Sequence, residues 1–61
     1  MITQHRNWKW FLRCVNDIDV DLHNKLVNNN YVITEKEKTL LLSCYTVNGA
    51  FGDILVELLG L

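Results

Sequence analysis

The residues of this chain whose types could support covalent chemistry are Cys14, Cys44, His5, His23 and Ser43, the single serine. A thiol beside an imidazole would be an activated nucleophile, so Cys14 or Cys44 with His5 or His23 is the one catalytic pairing to weigh. Catalysis needs such groups to converge in a pocket, and a helical domain of 61 residues leaves little room for one. No Gly-rich phosphate loop, zinc-ligand spacing or nucleophile elbow accompanies them. His23 has no Cys or His at i+3 or i+4, so it reads as a solvent-facing helix residue and not as a metal ligand. Asp17, Asp19 and Asp21 alternate like the opening of a calcium loop. The sixth position is Leu22 where Gly is needed, and Asn28 stands where the bidentate Glu belongs. The expectation is a protein with no catalytic residue, cofactor or metal. Cys14 and Cys44 form no CxxC pair and read as reduced, small apolar core residues, with a bridge joining two helices or a reactive thiol as the other readings.

The elements that position these residues follow from composition and periodicity. Sixty-one residues, no Pro, three Gly and 49% apolar content describe a single helical domain over residues 1–61, near the size at which one core only marginally outweighs chain entropy. Oligomerisation is therefore expected. The net charge of −1 gives no reason to expect nucleic acid. Its distribution is two-ended: Arg6, Lys9 and Arg13 stand without an acid in residues 1–13, whereas the remaining three lysines share residues 14–61 with all seven carboxylates. The uncharged run 39–52 is too short, and too interrupted by Asn48 and Gly49, to span a bilayer. With two unpaired cysteines and no secretory leader, a cytoplasmic location is expected.

After a short lead-in, Met1–Gln4, the pattern Trp8, Phe11, Leu12, Val15 predicts an amphipathic helix over His5–Val15. Arg6, Lys9 and Arg13 share another face. Trp10 lies about 200° around the helix from Trp8, so one indole must be exposed or at an interface. It either leans along Arg6 or Arg13 in a cation–π contact or meets a partner. Asn16–Asp21 is read as punctuation, with Asp19 capping a second helix of Val20–Asn28 whose apolar residues are Leu22, Leu26 and Val27. Asn28-Asn29-Asn30 ends it, and Tyr31-Val32-Ile33 is a short apolar connection. Thr34 and Glu37 form a capping box for a third helix running to Val47. Lys38 stands where a hydrophobic staple would need an apolar residue, so Ile33 must pack against another helix. Leu40, Leu41, Cys44 and Val47 point inward, with Leu42 and Tyr45 toward the flanks. Asn48-Gly49 is a helix–helix turn into a fourth helix, Ala50–Leu59, whose stripe is Phe51, Ile54, Leu55, Leu58 and Leu59, with Asp53 and Glu57 on the wet side. Gly60 offers a left-handed stop, and Leu61 an apolar contact beyond it.

The stretches Ile18-Asp19-Val20-Asp21-Leu22, Lys25-Leu26-Val27-Asn28-Asn29-Asn30 and Val32-Ile33-Thr34-Glu35-Lys36-Glu37 resemble the second helix and third-helix entry of the caspase recruitment domain family of the death-fold superfamily. Phe51-Gly52-Asp53-Ile54-Leu55-Val56-Glu57-Leu58-Leu59-Gly60 is similar to that family's fourth helix, so the likeness covers about residues 8–61. The family has six helices and this sequence accounts for four. The resemblance therefore implies a death-fold-like domain, or a small orthogonal bundle, completed by oligomerisation. It also implies homotypic binding of a basic surface to an acidic one. Arg6, Lys9 and Arg13 would supply the first in part, and Asp19, Asp21, Glu35 and Glu37 the second; Trp10, by its place on the helix and not by the resemblance, is a further protein-binding candidate. The fourth helix departs from the pattern by carrying Asp53 and Glu57 in place of basic residues.

A second resemblance runs from Ile33-Thr34-Glu35-Lys36-Glu37 through Asn48-Gly49 to Asp53–Leu61, which looks like the entry of a bacterial helix-turn-helix. Leu55 stands where such motifs need Ala, and no recognition helix follows, so direct base reading is not expected. This likeness implies a small bacterial or phage regulator that controls transcription or host function by binding a protein. DNA binding through the basic first helix is a third class; three cations there would touch phosphates without specificity. The leading expectation is a non-enzymatic protein–protein interaction module, an adaptor or decoy that binds a protein partner or itself, with no nucleic acid and no membrane span.

Overall fold

Four helices form in the computed structural model, which describes residues 4–61: α1 (Trp8–Ile18), α2 (Val20–Val27), α3 (Glu35–Val47) and α4 (Gly52–Leu59), with a 3-10 turn at Gly49–Phe51 between the last two. The fold is all-α, as the helical periodicities predict, and the domain measures 23 × 22 × 21 Å. The expectation for Met1–Thr3 lies outside the described residues.

α1 starts three residues later and ends three residues later than its apolar pattern predicts. His5–Asn7 make a turn in which the Trp8 N–H donates to the His5 carbonyl at 3.1 Å. At the other end Asn16 and Asp17 point to solvent and do not interrupt the ladder, because an exposed polar side chain need not compete with its own backbone. The break is Asp19 alone. Its extended backbone (φ −160°) stops α1, its N–H still donates to the Val15 carbonyl, and its side chain accepts from the Leu22 N–H at 3.0 Å to open α2. One residue thus ends one helix and caps the next, so α2 doubles back against α1.

Asn29 adopts the left-handed conformation (φ 61°) at the end of α2, and the Asn30 N–H returns to the Lys25 carbonyl at 3.0 Å, a Schellman closure made with Asn. The chain then runs extended to Thr34, where both capping-box bonds are present: Glu37 N–H to Thr34 Oγ1 at 3.2 Å and Thr34 N–H to Glu37 Oε1 at 2.9 Å. Thr34→Ala should cost about 1 kcal/mol, which in a domain this small lowers the thermal midpoint by several degrees. A circular-dichroism melt with an unchanged midpoint would refute the cap's contribution.

Asn48 closes α3 and its side chain accepts from the Ala50 N–H at 3.0 Å, which bends the chain through the 3-10 turn into α4. The expected fourth helix therefore begins as α-helix at Gly52, two residues late. Gly60 (φ 70°) ends it, with the Leu61 N–H returning to the Val56 carbonyl.

Each helix gives its stripe to one core. Trp8, Phe11 and Val15 come from α1, Leu22 and Leu26 from α2, Leu41 and Cys44 from α3, and Phe51, Ile54 and Leu55 from the last turn and α4. Phe11 is central: it stacks on Trp8 with ring centroids 5.7 Å apart and meets Phe51 edge-on at 5.4 Å. Ile33 packs on this core from the connecting segment, the tertiary partner that Lys38 made necessary. Several expected inward residues are not inside. Val27 is exposed, and Val47 is 78% exposed because the last turn of α3 runs past the helices that cover Leu41 and Cys44. Leu58 and Leu59 are only half-buried at the edge of the stripe, and Leu61 lies exposed beyond the Gly60 closure. His23 is also corrected: it is half-buried, with Nδ1 enclosed and without a hydrogen-bond partner. A ring beside Leu22 on so short a helix is drawn partly under its neighbours.

Candidate protein-binding surface

The nucleophile candidates do not assemble a site. Cys44 is wholly buried on α3 and Cys14 half-buried on α1, both as free thiols, with their side chains near enough to hydrogen-bond. Burial pushes the Cys44 thiol up to about 12, and the hydrogen bond and charge of Cys14 add to the effect. A thiol held protonated is a poor nucleophile. Iodoacetamide at pH 8 should therefore modify Cys44 only as fast as the domain opens, with Cys14 labelled first; peptide mass mapping showing equal native-state labelling would contradict this burial. His5 is occupied on the far side, where its Nε2 and Glu57 Oε2 join the segment before α1 to α4. No group of three metal-ligating side chains occurs among the described residues.

The charged residues singled out in the sequence divide into two kinds. Asp19 is consumed as the α2 cap. Glu37 is consumed twice, by the Thr34 box and by a 2.8 Å ion pair with Lys25 of α2. The Lys25 hydrogen bond, then that of the Thr34 backbone, holds the Glu37 carboxyl below its ordinary value of 4.5. Because the folded value is depressed, this contribution to stability is complete at neutral pH and is lost as the pH falls through the lowered value. Glu37→Gln can keep the box but not the charge, so it should lose stability at pH 7 and flatten the acid limb of the stability curve. A variant with the wild-type acid limb would contradict this linkage. Asp21 and Glu35 remain exposed, and neither is in an ion pair among the described residues.

On α1 the two indoles separate as their spacing requires: Trp8 is 9% exposed in the core and Trp10 is 58% exposed. The Arg13 guanidinium lies over the Trp10 ring, 5.3 Å from its centroid. Lys9 on α1 and Arg6 in the turn before it are also exposed, and none of the three cations is in an ion pair among the described residues. The Trp10 pair faces water, so a cation–π contact there contributes only about 0.5–1 kcal/mol. Trp10→Ala should leave the melting midpoint almost unchanged.

The larger feature is one that the charge pattern did not reveal. Between the second half of α3 and α4 lies an open groove of about 460 Å³, walled by Leu42 and Tyr45 on one side and by Asp53, Leu55, Val56 and Leu61 on the other, with Gly49, Ala50 and Gly52 along it. Tyr45 can lie against α4 because position 52 has no side chain; a Cβ there would stand 3.1 Å from Tyr45 Cε2. Leu42, Tyr45, Val56 and Leu61 are all exposed, so the groove leaves an apolar surface in water. The available signal was that Leu42 and Tyr45 recur at i, i+3 beside the buried pair Leu41 and Cys44, giving α3 more apolar width than one neighbour covers. No helix among the described residues is long and apolar enough to cross a membrane.

No family model matches the chain, and no curated protein and no solved structure matches it.

Proposed function

We propose that this chain is a non-enzymatic protein-interaction module, a caspase recruitment-like adaptor or decoy that acts by helix-mediated homotypic binding. The observation that carries the reading is the groove between α3 and α4, whose exposed Leu42, Tyr45, Val56 and Leu61 gather the kind of surface that marks a docking site. The free cations Arg6, Lys9 and Arg13 and the unpaired carboxylates of Asp21, Glu35 and Asp53 add oppositely charged patches that set register and association rate. Asp19 and Glu37, committed to caps and to Lys25, contribute no free charge to such a contact.

The second reading, a small bacterial or phage regulator, draws on the α3–turn–α4 pair closed by Asn48. The only charged side chains of its α4 are the exposed carboxylates Asp53 and Glu57, which disfavours a phosphate backbone. A regulator of this form would also work by binding protein, through the same surface.

Light scattering from micromolar to millimolar protein tests the reading. The wild-type mass should rise with concentration, and Val56→Arg, a change at an exposed position, should hold it at the monomer while labelled duplex DNA stays unshifted at physiological salt. Equal association of wild type and Val56→Arg would refute a working role for the groove.

A further inference from the structure

We infer that the occupant of the α3–α4 groove is the Trp10 face of α1 from a second copy of this chain. The inference deepens the reading above and rests on it.

Three observations carry it. First, the chain holds an anchor and a receptacle that do not meet within one copy: no α1 residue lines the groove, and the Trp10 indole stands in water. Trp and Arg, here an indole backed by a guanidinium, are among the residue types enriched where a few residues dominate an interface. Second, the groove has the size and lining of a site that takes one bulky apolar group, apolar walls with a single charged side chain, Asp53. Third, the charges complement. Arg13 lies over Trp10, Lys9 is its neighbour on α1 and Arg6 is in the turn that leads into that helix, whereas the only charged side chains of α4 are Asp53 and Glu57 and the adjoining half of α3 carries no charge. With the indole between the Tyr45 and Val56 walls, the neighbouring cations come near Asp53 and meet no like charge.

The two patches differ, so each copy gives an indole and receives one, and association either closes reciprocally in a two-fold dimer or a larger ring or runs on as a filament. This geometry makes a decisive mixing experiment possible. Trp10→Ala keeps the groove, and Val56→Arg keeps the indole while placing a cation where the α1 cations must approach. Both positions are exposed, and circular-dichroism melts verify folding; Leu42→Lys replaces Val56→Arg should the latter fail to fold.

In sedimentation velocity at low salt, the wild type should form a dimer or a larger assembly, and each variant alone should associate at least ~10-fold more weakly, as for loss of an interface anchor. The two variants mixed in equal amounts should form a heterodimer and stop there, since one working patch remains on each. Added salt should weaken the heterodimer. Self-association of Trp10→Ala at wild-type strength with Val56→Arg monomeric would overturn the inference while leaving the groove as a binding site. A wild type that stays monomeric, or variants that fail to combine, would overturn it as well. Wild-type association of Val56→Arg would remove both the inference and the reading it rests on.

Discussion

Phe11→Ala should leave the domain largely unfolded at room temperature. The ring is fully buried, stacked on Trp8 and edge-on to Phe51, and so joins α1 to the turn that launches α4. Truncating a buried Phe removes its transfer free energy and leaves a cavity, together about 3–5 kcal/mol. In a chain of 61 residues a single core rarely supplies more than about 3–5 kcal/mol of net stability. The substitution therefore takes most of the margin, and urea unfolding followed by far-ultraviolet circular dichroism should show a midpoint near zero denaturant. A variant with a near-native midpoint would mean that Phe11 is not the centre of the core.

The second large effect separates two leucines of one stripe. Leu55 is buried against the core, and Leu55→Ala should cost about 2–5 kcal/mol. Leu58 is half-buried at the stripe's edge, so Leu58→Ala loses less contact and should cost about half as much. The comparison is made by urea titration of both variants at the lowest workable concentration. Equal losses would mean that Leu58 is covered in solution by something the single chain does not supply.

Helix identity was legible wherever a local signal fixed it. Asp19, the Thr34–Glu37 box, Asn29 and Gly60 act through bonds to backbone only a few residues away, so their positions follow from the sequence. The indole separation was legible for the same reason, since Trp8 and Trp10 cannot share a helix face. What was not legible depends on which helices lie alongside. Val47 and Leu58 fit the apolar period of their helices, yet the neighbours cover only part of each face. Asn16 and Asp17 carry the composition of a break, but they face solvent and leave α1 intact. For the surface, the charge pattern pointed to acidic helix starts, two of whose residues, Asp19 and Glu37, are taken up by internal bonds. The groove has no charge signature beyond Asp53 and comes into being only when α4 packs beside Leu42 and Tyr45.

Amide and indole chemical-shift mapping of the wild-type chain over a dilution series at low salt tests the central claim, that the α3–α4 groove is a protein-binding surface, most directly. Shifts should concentrate at Leu42, Tyr45, Ala50, Val56 and Leu61, and on α1 at Lys9 and the Trp10 indole, while Leu22 and Leu26 in the core stay fixed. Spectra that do not change from micromolar to millimolar protein, or changes confined to α2, would contradict it.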